Sequence, residues 1–138
     1  MIIRCRRYHD FSCGHRVVGH ENKCKNLHGH NYRVYFTVEA PQLDGVGRVV
    51  DFSVIKSTLC QYLEDVWDHR MVIYHEDPLA EELIRLDPEV VLVSFNPTAE
   101  NMAAFLLNVI GPAMLPEPLK LVHVRVDETR KCGAEALL

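Results

Sequence analysis

Residues 30–39 alternate between apolar and mostly polar side chains over their whole length. Tyr32, Val34, Phe36 and Val38 share one parity. Successive side chains of a β-strand point to opposite faces, so a period of two indicates a strand with one buried face. We therefore predict a β-strand here, and the patterns in the rest of the chain decide what covers its apolar face.

Two later segments have the period of a helix. The first is predicted over about residues 53–66, with Ser53 at its N-cap position. The second begins after Thr98, which is expected as its N-cap, and Gly111-Pro112 is expected to end it. Both segments place apolar residues along one side, so each helix is predicted to bury one face.

The remaining patterns are shorter. Residues 119–128 alternate again and predict a late strand, while turn residues after the first strand favour a hairpin that returns through residues 49–50. We expect a short helix over residues 79–86 and a short strand over residues 90–95. The order of strands, helix, helix and strand indicates an α+β fold with both helices on one face of an antiparallel sheet.

Composition restricts the class of protein. No change in composition divides the 138 residues, so we treat residues 1–138 as a single domain. The 15 Lys and Arg against 19 Asp and Glu give a net charge of −4, which argues against a nucleic-acid partner. We find no export signal and no apolar run of about 18 residues, and expect a cytoplasmic protein without a membrane partner. Its five cysteines are then expected as reduced thiols.

Eight histidines are many for 138 residues, and two of them stand in His28-Gly29-His30. If the predicted strand reaches back to His28, both rings project from the same side, where their nitrogens can share a metal ion. Imidazole suits zinc, and a catalytic zinc site uses three protein ligands with one position open. His15 would supply the third ligand if the first segment pairs with this strand, and the five other histidines are the alternatives.

Cys24 stands four residues before His28 and has two interpretations. As a fourth ligand it would close the coordination shell and make the metal structural. As a general base or nucleophile beside the metal, it would need its thiol pKa, about 8.5 when unperturbed, lowered by the cation or by a histidine. The spacing alone does not choose between these roles.

Two carboxylates also stand out. Asp68 directly precedes His69 after the first helix, and such a carboxylate can orient the imidazole of an acid/base pair. The alternative is a histidine placed only by the helix dipole. Glu128 has the parity of the apolar face of the late strand, so it needs a partner there, either an Arg or a ligand that presents two adjacent N–H groups.

Together these features resemble the 6-pyruvoyl-tetrahydropterin synthase and 6-carboxytetrahydropterin synthase family, small zinc enzymes with the tunnelling (T-) fold. One such motif would be weak, but their order along the chain is specific. The matching motifs are Phe11 to His15, Cys24 to His30, Val50-Asp51-Phe52, Asp68-His69, Pro97-Thr98-Ala99-Glu100-Asn101 and Glu128-Thr129.

The resemblance implies roles for particular residues. It implies a four-stranded antiparallel sheet with two helices packed on one face, and a homohexamer of two trimers whose sites lie between subunits. It also implies that a zinc ion (Zn2+) is bound by His15, His28 and His30. It implies a proton-transfer group of Cys24, Asp68 and His69. The pterin would be bound by Glu128 with Thr98.

The three residues between Cys24 and His28 resemble the 6-carboxytetrahydropterin branch, because the pyruvoyl branch has a longer insert there. This implies zinc-dependent conversion of 7,8-dihydroneopterin triphosphate to 6-carboxy-5,6,7,8-tetrahydropterin, with release of acetaldehyde and triphosphate, in queuosine biosynthesis. The alternatives are 6-pyruvoyl-tetrahydropterin synthase activity and a non-catalytic, zinc-stabilised binding module. In that module Cys24 would complete the metal shell and Glu128 would pair with an Arg.

Overall fold

Six strands form one sheet in the computed structural model, which describes residues 1–138. In chain order they are β1 (Cys5–His15), β2 (His28–Glu39), β3 (Met71–Tyr74), β4 (Val91–Val93), β5 (Lys120–Asp127) and β6 (Gly133–Leu137). Across the sheet they run β4-β3-β1-β2-β5-β6. β3 pairs parallel with β1 and β4, and every other pair is antiparallel. The expected four-stranded antiparallel sheet is therefore wrong in strand number and, at the β4 edge, in direction.

Three helices accompany the sheet, and the α+β class is confirmed. α1 spans residues 52–67, α2 is Ala80–Leu86, and α3 spans residues 99–114. α1 and α3 each begin with an α-helical turn and continue through π-helical turns. The predicted helix over residues 53–66 and the short helix over residues 79–86 are confirmed. No helix combines the length and the apolar character needed to cross a bilayer.

The connection between β2 and α1 contains no strand, so the hairpin predicted through residues 49–50 is wrong. The Asp44 carboxylate organises this loop instead, because one of its oxygens accepts two loop N–H groups at 2.9 and 3.0 Å. The loop ends at Asp51, whose carboxylate accepts the Ser53 N–H at 2.8 Å. Asp51 is therefore the N-cap of α1, and the predicted N-cap, Ser53, lies in the first turn.

The α3 helix begins as predicted and ends later. The Thr98 hydroxyl accepts the Asn101 N–H at 3.1 Å and caps the helix. Gly111-Pro112 does not end it, since the helix continues to Met114. Pro112 lies in the first turn of the α-helical segment Gly111–Met114, which follows a π-helical segment, and the missing proline N–H is tolerated in a first turn.

α1 and α3 lie on the same face of the sheet, as predicted. The apolar parity of β2 faces them and is buried. Trp67, the last residue of α1, is fully buried, and its ring centre lies 6.3 Å from that of Phe11 on β1 and 6.1 Å from that of Phe105 on α3. Large aromatic side chains dominate the energetics of a core. Trp67 therefore fixes the position at which the chain leaves α1.

The opposite face of the sheet, here called the open face, has no covering layer. Its side chains are charged and aromatic. The Arg33 guanidinium lies 4.1 Å from the ring centre of Tyr8 and donates hydrogen bonds of 2.7 and 3.0 Å to Asp10. This face therefore keeps its polar groups paired on the surface, whereas the apolar core lies under the helices.

Candidate metal and catalytic site

β1 and β2 bring three histidines together on the helix-covered face. β2 begins at His28, as the metal hypothesis requires, and the strand register pairs His15 with His28 and Cys13 with His30. The three ring centres are 4.6–5.1 Å apart, and one nitrogen of each ring lies within 4.8 Å of the others. His15 is thus the histidine that joins the His28-Gly29-His30 pair.

Backbone carbonyls fix the tautomers of two of these rings. Nδ1 of His15 lies 2.6 Å from the Pro97 carbonyl oxygen, and Nδ1 of His28 lies 2.7 Å from that of Asn26. A carbonyl only accepts, so Nδ1 carries the proton in both rings and each Nε2 keeps its lone pair. These two Nε2 atoms are 3.1 Å apart, and the Nε2 of His30 is buried without a hydrogen-bond partner. Two facing acceptors cannot hydrogen-bond to each other, whereas a cation between them would bind both lone pairs.

The cluster fits a zinc ion. With Zn–N distances of about 2.0–2.1 Å, tetrahedral geometry places two ligand nitrogens about 3.3 Å apart. The separation of 3.1 Å between His15 and His28 is close to this value. Burial, together with the neighbouring His28 and His30 rings, lowers the pKa of His15 to about 4, and burial also lowers the pKa of His30. Both rings are therefore neutral near pH 7, which is the state that binds metals.

Glu128 reaches the cluster from the end of β5. Its carboxylate oxygens lie 4.0 Å from Nε2 of His15 and 3.7 Å from Nε2 of His30. Burial, and next the negative charge of Glu100, raise the pKa of Glu128. No Arg or Lys forms an ion pair with this carboxylate, so the Arg partner considered above is not found. Its ion-pair contacts are with His15 and His30 of the cluster.

Cys24, Thr98 and Glu128 line one cavity of about 230 Å³. Cys24 lies in the 3₁₀ turn Lys23–Lys25, is half-buried, and is not among the residues close enough to share a metal with the histidines. The Thr98 oxygen caps α3, which leaves the hydroxyl proton free for donation. A thiol, a hydroxyl and a carboxylate therefore line one cavity, and Glu128 connects that cavity with the histidine cluster.

Asp68 and His69 form a pair elsewhere. The Asp68 carboxylate accepts the His69 Nδ1–H at 2.8 Å and the Ser12 N–H at 3.0 Å. Burial opposes the shift, but these two hydrogen bonds prevail and lower the pKa of Asp68. His69 has a positive φ of 59°, and its side chain is 82% exposed. The pair lines a larger cavity of about 640 Å³ on the open face, so one chain does not bring it to Cys24.

Three further residues line the smaller cavity without having been predicted as site residues, although His20 was an alternative metal ligand and Glu100 stands in a matching motif: His20, Glu100 and Cys132. Glu100 has the clearest sequence signal, because it stands two residues after Thr98 in the first turn of a helix that begins at the cavity. His20 accepts the Asn22 N–H through Nδ1 at 2.9 Å, so Nε2 carries its proton when the ring is neutral. Only the fold brings Cys132 to this cavity, through the turn between β5 and β6.

Comparison with known sequences gives a consistent result. Residues 4–137 match the family described as 6-pyruvoyl tetrahydropterin synthase. The 6-carboxy-5,6,7,8-tetrahydropterin synthase of Rickettsia typhi is 34% identical over 137 residues, which cover 97% of this chain and 99% of the relative. A probable 6-carboxy-5,6,7,8-tetrahydropterin synthase of Halobacterium salinarum is 38% identical over 120 residues, covering 86% of this chain and 75% of the relative.

Solved structures show the same architecture. An uncharacterized protein from Wolinella succinogenes superimposes with a TM-score of 0.86 at 26% identity, covering 99% of this chain and 98% of that one. The 6-pyruvoyl tetrahydropterin synthase of Caenorhabditis elegans gives a TM-score of 0.72 at 24% identity, covering 100% of this chain and 96% of that one. At that identity the likeness to the nematode enzyme establishes a shared fold.

Proposed function

Because the chain belongs to the 6-pyruvoyl tetrahydropterin synthase family of enzymes, we propose that it is a zinc-dependent lyase acting on 7,8-dihydroneopterin triphosphate. The products are 6-carboxy-5,6,7,8-tetrahydropterin, acetaldehyde and triphosphate. The observation that carries the proposal is the convergence of three imidazole nitrogens beside a cavity lined by Cys24 and Glu128. Relatives named for the 6-carboxy product support this branch over the pyruvoyl one.

His15, His28 and His30 would hold the zinc ion through Nε2. When bound there, zinc supplies Lewis acidity, which acidifies substrate hydroxyl groups and the neighbouring C–H. The Pro97 and Asn26 carbonyls keep Nε2 unprotonated in two of the rings, so these ligands are ready to bind.

Glu128 and Thr98 would hold the pterin. A carboxylate accepts two parallel N–H bonds, and the amino group and ring N–H of a pterin present such a pair. The partly buried Glu128 carboxylate has no cationic Lys or Arg partner of its own, so it is available for this contact. The Thr98 hydroxyl donates from the same wall of the cavity. These two residues would fix the ring and leave its side chain near the histidines.

Cys24, as thiolate, would remove a proton from the substrate side chain, and His69, oriented by Asp68, would deliver or relay one. The Asp68–His69 hydrogen bond of 2.8 Å supports the orienting role. Since this pair and Cys24 line different cavities, we propose that His69 comes from a second copy of the chain. A homohexamer of two trimers with sites between subunits provides such an arrangement. We further propose that the enzyme acts in the cytoplasm, in queuosine biosynthesis.

Product identification tests this function. Zinc-loaded protein is incubated with 7,8-dihydroneopterin triphosphate, and the products are identified by mass spectrometry. A 6-carboxy product is expected, whereas a 6-pyruvoyl product would establish the alternative activity. Absence of turnover would favour the binding module, which also predicts that chelation unfolds the protein. The enzyme proposal predicts a folded, inactive apo-protein, which circular dichroism can verify.

A further inference from the structure

Arg16 forms hydrogen bonds that connect the loop containing Cys24 to a distant carboxylate. It follows His15, the last residue of β1. Its Nε donates to Oδ2 of Asp77 at 2.6 Å, and its Nη1 donates to the Lys25 carbonyl at 2.8 Å. One planar guanidinium therefore connects the residue next to Cys24 with a carboxylate far away in the sequence. Lysine lacks this fixed fork of donors.

Asp77 is a rigid anchor for that guanidinium. Its side chain is 0% exposed, and Arg16 is its ion-pair partner. The other carboxylate oxygen accepts the Leu79 N–H at 2.8 Å, and the Asp77 N–H donates to the Tyr74 carbonyl at 2.9 Å. A buried carboxylate that loses its charged partner is strongly destabilised. Asp77 therefore holds Arg16 in a single orientation.

A neighbouring contact acts on Cys24 itself. The Val17 N–H donates to the Cys24 carbonyl at 2.8 Å, so residues 16 and 17 bind two successive carbonyls of the loop. The Asn96 side chain then pairs with both backbone groups of Val18, at 3.0 and 2.9 Å. These bonds hold the backbone on the carbonyl side of Cys24, and so hold the Cα atom that carries the thiol.

We propose that Arg16, held by Asp77, is a positioning residue that sets the place of the Cys24 thiol on the cavity wall. This inference deepens the proposed function, because it takes Cys24 as the proton-transfer group. Proton transfer requires heavy atoms within about 2.6–3.2 Å of each other. A displacement of about 1 Å can reduce a rate by about 10²-fold. The Arg16 side chain does not line the cavity, and its hydrogen bonds lead to Asp77 and to the Lys25 carbonyl, so its effect on Cys24 is expected to pass through the loop.

Arg16→Gln tests this through the chemical reactivity of the thiol. Each of the five cysteines is followed by peptide mass spectrometry during alkylation with iodoacetamide, and exposed Cys132 is the internal reference. Releasing the loop is expected to raise the Cys24 alkylation rate about fivefold or more relative to Cys132, because local opening becomes easier. Buried Cys13 and Cys60 should keep their wild-type alkylation rates, since only global unfolding would expose them. Arg4→Gln, which removes an arginine from an exposed ion pair with Glu39, controls for the loss of a positive charge and should leave the Cys24 rate unchanged. An unchanged rate in Arg16→Gln overturns the proposal.

Arg16→Lys distinguishes positioning from charge. Lysine preserves the positive charge beside Asp77, so the fold is retained, but it lacks the second donor arm that reaches the Lys25 carbonyl. If Arg16 positions the loop, Cys24 should be alkylated fast in this variant as well, and a wild-type alkylation rate would overturn the proposal. The alkylation result stands whether or not wild-type protein turns over, so a failure of the proposed function is recognised separately.

Turnover supplies the second readout. Arg16→Gln is expected to lower kcat by about 10–100-fold with KM nearly unchanged, since the thiol is displaced and the pterin contacts remain. In a Cys24→Ala background the same substitution is expected to have no further effect on the residual rate. Additive losses in the double variant would show that Arg16 acts by another route and would overturn the proposal.

Discussion

The histidine cluster and the Asp68–His69 pair differ in how completely one chain builds them. The cluster lies on two strands paired in register over 11 residues of β1, and carbonyl oxygens fix two of its rings. His15 is 1% exposed. The side chain of His69, by contrast, is 82% exposed and has only Asp68 as a partner.

This difference in rigidity and exposure suits two different proposed tasks, metal binding and proton transfer. A metal site needs rigid ligands whose protonation is fixed in advance, and a strand pair with backbone acceptors provides both. A group that passes a proton between substrate and solvent needs access, and the turn after α1 provides it. All three proposed metal ligands therefore come from one chain, whereas the proposed acid/base pair would act from a second copy.

Loss of a cluster histidine is expected to have the largest effect. His28→Ala should abolish stoichiometric zinc binding and all turnover. Loss of a residue that only hydrogen-bonds to a metal ligand lowers metal affinity by roughly 10–100-fold, and loss of the ligand itself should lower it further. Metal analysis of the purified protein provides the measurement. His123→Ala, which removes a histidine paired with Glu135 at the far end of the sheet, should retain zinc. Equal metal content in both variants would contradict the site.

Removal of the thiol should spare the metal and lower the rate. Cys24→Ala is expected to keep zinc and to lose roughly 10²–10⁴ in turnover, the scale of a missing acid/base group. Steady-state kinetics with parallel metal analysis measures both quantities. Cys5→Ala, at the start of β1, should behave as wild type. Zinc loss in Cys24→Ala would instead make the thiol a ligand.

Mixing two inactive variants tests whether the two regions act across copies. Co-assembly of equal amounts of Cys24→Ala and His69→Ala chains should restore about a quarter of wild-type turnover, because random pairing gives that share of sites both intact groups. Each variant alone should remain inactive at the same total concentration. If both groups of a site came from one chain, no mixture would regain activity.

The smallest effect is expected at Trp67, which links the core to the exposed pair. Its indole N–H is buried without a partner, so Trp67→Phe removes an unsatisfied donor while leaving a small cavity. The free energy of unfolding should change by less than about 1.5 kcal/mol. Trp67→Ala should cost about 3–5 kcal/mol. Urea denaturation distinguishes the two, and equal losses would contradict this account of the core.

Strong local periodicity was enough to predict the central elements. The alternation of β2 placed His28 and His30 on one side, and the hairpin assumption placed His15 opposite them, as the register shows. The residue type of Thr98 and its place just before a helical apolar pattern predict the cap of α3. These features depend on neighbours in sequence or on the pairing of consecutive strands, which are the interactions that sequence patterns report best.

The missed features depend on distant contacts. β3 has four residues and no period, and it becomes a strand by pairing in parallel with β1 and β4. β6 consists of Gly-Ala-Glu-Ala-Leu, a composition of low strand propensity, and it forms along the edge of β5. Asp77 and Cys132 show no sequence signal, since the fold alone sets their partners.

X-ray absorption at the zinc K-edge counts the atoms bound to the metal, so it distinguishes a site of three histidines from one that Cys24 closes. Zinc-loaded wild-type protein is expected to show nitrogen or oxygen ligands only, with three imidazoles at about 2.0–2.1 Å and a light atom at the remaining position. The spectrum of Cys24→Ala should then be the same. A sulfur shell at about 2.3 Å in wild-type protein, absent from Cys24→Ala, would contradict the site of three histidines.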